Sequence, residues 1–108
     1  MKRAVVDGLI DRELKRSKVK WPGFPNDPVH AAAIVAEEAG ELTQATLNYT
    51  YGPPRFKDSQ SAMIEEAVHT AAMAIRFLVN FPYSPGNDAQ GPDRNALVRA
   101  RGRGKGRR

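Results

Sequence analysis

Two stretches decide how this chain folds: Ala31-Ala-Ala-Ile-Val-Ala-Glu37-Glu38-Ala-Gly-Glu41-Leu42 and Met63-Ile-Glu65-Glu66-Ala-Val-His69-Thr-Ala-Ala-Met-Ala-Ile-Arg76-Phe-Leu78. Both are apolar at helical spacing, and both carry acids inside the apolar pattern. Carboxylates are costly to bury unless something positive meets them. Two such clusters on helices that pack together point to a shared guest, and a divalent metal is the guest whose chemistry fits.

Working outward, the second stretch reads as a helix over 60–80, started by Asp58 or Ser59 and stopped by Pro82 and Pro85. Ile64, Val68, Ala71, Ile75 and Leu78 fall in a narrow arc of it, which predicts its buried line. The first stretch belongs to a helix that starts at Asp27-Pro28 and runs to about Asn48 or Tyr49. Asp27 can accept from the free amides of the first turn, and Pro28 suits the first helical position. Val35, Ala39 and Leu42 form the expected core line, and Tyr51-Gly52-Pro53-Pro54 closes the element. Upstream, Val6, Leu9, Ile10 and Leu14 predict a helix over 2–19, while Arg12, Lys15 and Arg16 are placed to stay wet. Trp21-Pro22-Gly23-Phe24-Pro25-Asn26 follows as a stiff connector. No convincing strand and no internal repeat is present.

The expected fold is therefore all-α, with three main helices forming a bundle over residues 1–82. Its Ala-rich faces contribute modest hydrophobic energy, so dimerisation is the natural way to complete it. Residues 83–108 read as a Gly/Pro-rich and Arg/Gly-rich tail that cannot build a core, with a short helix conceivable at 93–100. The net charge of +5 belongs to that tail: residues 94–108 hold seven Arg or Lys and no acid. Residues 1–93 hold ten basic and twelve acidic residues, so the body gives no reason to expect nucleic-acid binding. The tail itself has the charge to track a nucleic-acid backbone without reading sequence. With no cysteine, neither disulfides nor a thiolate zinc site is available. No apolar run approaches the roughly 18 residues of a membrane span, and no signal peptide is legible. A cytoplasmic protein without membrane contact is the expectation.

Residues three or four apart share a helix face. Glu38 thus neighbours Glu41, Glu37 stands four before Glu41, and His69 lies three after Glu66 and four after Glu65. If the two helices run antiparallel, these groups can converge on one cation. Ala39, Gly40, Ala62 and Ala72 would leave room beside them for a phosphate chain. Gly40 costs about 1 kcal/mol in a helix relative to Ala, which calls for a packing or access reason. The bland reading is that Glu-Glu pairs are solvated faces and that His69 is half exposed, paired with Glu65 or Glu66. Arg76, seven after His69 on the same face, could meet a phosphate or be an ordinary surface arginine near a helix end. Arg55 and Lys57, in the loop before the third helix, could reach substrate. Trp21 and Phe24 could stack on a base or seal the bundle, and sealing is the commoner role. A Glu-x-x-His pair also occurs in di-iron carboxylate bundles, but those need two such motifs and this chain has one.

Glu37-Glu38-Ala-Gly-Glu41, within Ala36-Glu-Glu-Ala-Gly-Glu-Leu42, resembles the E-E-x-x-E motif of the MazG-like, all-α nucleoside triphosphate pyrophosphohydrolases. The family's second motif, E-x-x-D, falls on Glu66-Ala67-Val68-His69, with His69 at the aspartate's place. The resemblance covers about residues 28–80. It implies helical bundles assembled as homodimers, sometimes homotetramers, that use magnesium to cleave a nucleoside triphosphate to the monophosphate and pyrophosphate. It further implies that Glu38, Glu41 and Glu66 are metal ligands, that Glu37 is a further ligand or the base that orients water, and that His69 joins the set. Magnesium prefers oxygen donors, so His69 could favour manganese, step back to contact phosphate or water, or weaken the site. The alternative to an enzyme is a catalytically weakened helical module that binds nucleotide, or nucleic acid through the tail.

Overall fold

The computed structural model describes residues 1–56, 59–81 and 83, with only the backbone of Phe56. Among these residues there are three α-helices, one short 3-10 turn and no strand. Helix α1 covers Arg3–Lys20, α2 covers Pro28–Tyr51 and α3 covers Gln60–Asn80, so each of the three main expected helices is present within three residues of its expected ends. The turn at Pro54–Phe56 bridges α2 and α3. Lys57, Asp58, the suggested helix at 93–100 and the tail beyond Tyr83 lie outside the described residues.

The punctuation works as expected. Asp27 Oδ1 accepts from the Val29 amide at 3.2 Å, with Pro28 in the first turn, so one orphan donor of α2 is satisfied. α1 ends where the Trp21 amide donates to the Ser17 carbonyl at 2.7 Å.

α3 is the centre of the bundle, packed on both α1 and α2. Contacts between α1 and α3 rise together along both helices: His69 meets Glu13, and Arg76 meets Ser17. These two helices therefore run parallel. Contacts between α2 and α3 run in opposite senses: Glu38 meets His69, and Tyr49 accepts from Gln60 at 2.8 Å. α2 and α3 are thus antiparallel, the arrangement that convergence of the two acidic clusters requires.

The buried line of α3 is not the one its periodicity predicts. Ala72, Met73 and Arg76 are buried, whereas Ile64 is 41% and Leu78 is 71% exposed. The predicted arc instead borders two apolar grooves. One, of about 480 Å³, lies between α2 and α3 and is lined by Ala32, Val35, Ala36, Ala39, Phe77 and Leu78, among others. The other, of about 350 Å³, brings Leu9 and Ile10 of α1 to Met63, Ile64 and Val68. Small residues at 31, 72 and 74 let the helices approach, and few large side chains are enclosed. Among the described residues Gly40 has no heavy atom within 4 Å of where a Cβ would stand, so no packing among them explains it.

Candidate metal centre

Antiparallel packing of α2 on α3 brings Glu38 against Glu66 and His69. One ligand-type atom from each lies within 4.8 Å of the others. His69 Nδ1 is 3.6 Å from Glu66 Oε2 and 3.8 Å from Glu38 Oε2. Both of those carboxylate oxygens are buried and have no hydrogen-bond partner among the described residues. A buried acceptor without a donor is costly, and native structures rarely leave one unexplained. A cation between them removes that cost, so the residues present fit a divalent ion.

The electrostatics agree. Burial, then the charge of Glu41, pushes the Glu38 carboxyl above its usual 4.5. Burial, then the neighbouring Glu41, does the same for Glu66. Glu41 is exposed and stands outside the group of three, but it is near enough to act on both of its members. Glu37 is exposed and stands outside the group of three, beside Glu38 on a cavity described below.

The opposite side of the imidazole is also acidic. His69 Nε2 is 3.5 Å from Glu13 Oε1 of α1 and 3.9 Å from Glu65 Oε1. Glu13 is held by a two-pronged contact from Arg16, whose Nε and Nη2 donate at 2.8 and 2.7 Å. That hydrogen bond is the main reason the Glu13 carboxyl sits below its usual range. Sequence reasoning missed Glu13, and it placed Arg16 among the wet residues without a partner. Nothing local to α1 marks Glu13. Only the parallel packing of α1 on α3 brings it to the site.

Three cavities meet at this cluster. One, of about 450 Å³, is lined by Trp21, Phe24, His30, Glu37, Glu38 and Arg76, among others. A second, of about 310 Å³, is bordered by Glu41, Ala62 and Glu66. A third, of about 430 Å³, contains Arg12, Arg16, Glu65 and His69. Trp21 is half exposed, with the Lys20 ammonium 4.6 Å above its ring.

Arg76 corrects an expectation. It is 3% exposed, not a surface arginine. Its Nη2 donates to the carbonyls of Trp21 at 2.7 Å and Gly23 at 3.3 Å, and its Nη1 donates to the Ser17 carbonyl at 3.4 Å. Its guanidinium also lies 5.1 Å from the Phe24 ring centroid. The side chain holds the α1–α2 connector against α3, borders the cavity beside Glu38, and leaves its Nε without a partner among the described residues. Lys57, the other expected cation, lies outside the described residues.

No protein-family model, curated protein or solved structure matches this chain. No helix among the described residues is long and apolar enough to cross a membrane.

Proposed function

We propose that this protein is a metal-dependent nucleotide pyrophosphohydrolase, active as a homodimer or a pair of homodimers. One observation carries the reading: two buried, partnerless carboxylate oxygens converge with an imidazole nitrogen between antiparallel helices. The resemblance of Glu37-Glu38-Ala-Gly-Glu41 to the MazG-like motif supports the same chemistry. Glu38, Glu66 and His69 would hold the ion, with Glu41 at the edge of the set. A mixed nitrogen and oxygen donor set suits manganese better than magnesium, which asks for oxygen. When bound, the ion supplies Lewis-acid polarisation of a phosphoryl group.

The chain's own residues do the rest. The cavity beside Glu38 is within the roughly 300–1,000 Å³ typical of small-molecule clefts. Trp21 and Phe24 offer a base an aromatic wall there, and Arg76 keeps that wall in place. Glu37 flanks Glu38 and lines the same cavity, and we assign it the orientation of water. Water adds at phosphorus, the α–β bridging P–O bond breaks, and pyrophosphate leaves. The open apolar grooves along α2 and α3 suit a second copy of the chain.

Pyrophosphate release, measured over a panel of nucleoside triphosphates with magnesium or manganese, tests the reading. Wild type should turn over only with a divalent ion, and more readily with manganese. Glu38→Gln and Glu66→Gln should abolish turnover and keep the helical signal. His69→Asp should move the preference toward magnesium. Metal-independent release, or full activity in Glu38→Gln, would sink the proposal.

A further inference from the structure

We infer that Glu13, clamped by Arg16, is a positioning residue for His69: it accepts the Nε2–H of the imidazole and leaves the Nδ1 lone pair facing Glu38 and Glu66. The inference rests on the metal reading of that site and assigns a residue to it from α1, the helix outside both acidic motifs.

A neutral imidazole has one donor and one acceptor nitrogen, and only the acceptor can ligate a metal. Which nitrogen is which depends on the partner of the other one. Four carboxylates face this ring. Glu38 and Glu66 lie on the Nδ1 side, and Glu13 and Glu65 on the Nε2 side. Glu13 differs from the other three. It has the shortest separation from the ring, 3.5 Å, and its carboxylate is fixed in direction by the two-pronged Arg16 contact. Glu65 is more exposed and lies at 3.9 Å. Glu38 and Glu66 are the groups whose oxygens lack donors. A fixed, ionised acceptor behind the ring and open acceptors in front of it form the carboxylate–histidine–metal order found around ligating histidines. The same device suits histidine at this position: Nδ1 can serve as a ligand when an acceptor on the Nε2 side holds the ring's proton away.

Two readouts independent of turnover test this on the full chain. The first is the imidazole ¹⁵N spectrum of metal-free protein in alkaline buffer, with the two histidines told apart by His30→Gln. His69 should be protonated at Nε2, and Glu13→Ala should shift the population toward Nδ1–H. The second is Mn²⁺ affinity by calorimetry. Glu13→Ala should weaken binding by about 10–100-fold, the usual cost of losing such a partner. Arg16→Ala should act in the same direction but less, and Glu13→Gln, which retains an acceptor oxygen, should recover part of the loss. If Glu13→Ala loses its helical signal, the wild-type spectrum and Arg16→Ala decide. A wild-type His69 protonated at Nδ1 overturns the inference, as does a Glu13→Ala protein with unchanged tautomer and affinity. A wild type that takes up no Mn²⁺ ends the metal reading instead, and the tautomer still decides the role of Glu13.

Discussion

Arg76 and His69 stand two turns apart on α3, and their surroundings are opposite. Arg76 meets three neutral carbonyls and an aromatic ring, with contacts from 2.7 Å upward. His69 is ringed by four carboxylates, none nearer than 3.5 Å, and two of them carry oxygens without a donor. The first is a buried charge whose two Nη groups donate to its own chain, with Nε alone lacking an acceptor among the described residues, and it holds the connector in place. The second is an under-satisfied polar cluster whose cheapest repair is a guest. The difference teaches that burial of a charged group says little about function. Whether its hydrogen-bonding needs are met inside the chain says more.

The largest effect should come from Arg76. Arg76→Leu removes the side-chain donor to the Trp21 and Gly23 carbonyls, leaves the Ser17 carbonyl with the Trp21 amide alone, and frees the connector. It should cost about 3 kcal/mol of stability, read as a lower midpoint in urea. If the midpoint holds while nucleotide affinity collapses, the contrast is reversed and Arg76 is the binding residue.

The acidic cluster should behave in the other way. Glu66→Gln removes a repelling charge, so metal-free protein should lose no more than about 0.5 kcal/mol or become slightly more stable. The pH dependence follows from the raised carboxyls of Glu38 and Glu66. Their folded forms hold protons more tightly than the unfolded chain does. Their contribution to stability is therefore full below the usual 4.5 and is lost as pH rises through the raised values. Glu13, lowered by Arg16, works in the opposite sense: its contribution is present above 4.5 and is lost as pH falls through the lowered value. Metal-free Glu66→Gln should thus lose less melting temperature than wild type as pH rises above 4.5. Equal slopes would mean that Glu66 is an ordinary solvated acid.

The smallest effect concerns Gly40, between Glu38 and Glu41. A Cβ there meets nothing among the described residues. Gly40→Ala should raise stability by about 1 kcal/mol in a single copy of the chain. A loss of stability that depends on protein concentration would show that a second copy packs on this turn.

Much of this was legible in the residues. Asp27-Pro28 and the Trp21–Asn26 connector marked helix boundaries through local backbone chemistry, which needs no tertiary knowledge. Glu38, Glu66 and His69 were legible because spacing of three or four on a helix is itself a distance. What escaped depended on how helices dock. Glu13 acquires its role from the parallel packing of α1 on α3, and nothing in its own turn records that. The sequence offers Arg76 as a phosphate contact or a surface residue, and its burial against the connector is hidden because its acceptors lie more than fifty residues away in sequence. The apolar arc of α3 was found, but Ile64 and Leu78 border open grooves instead of the interior. Periodicity shows that a face is apolar and does not say what covers it.

The account depends most on whether Glu38, Glu66 and His69 hold a divalent ion. Calorimetric titration of Mn²⁺ into the full chain tests this without reference to any substrate. The expected result is saturable binding of one ion per chain, accompanied by a higher melting temperature, with both lost in Glu38→Gln and in Glu66→Gln. Wild-type protein that takes up no ion, or variants that bind it as well as wild type, would contradict the account.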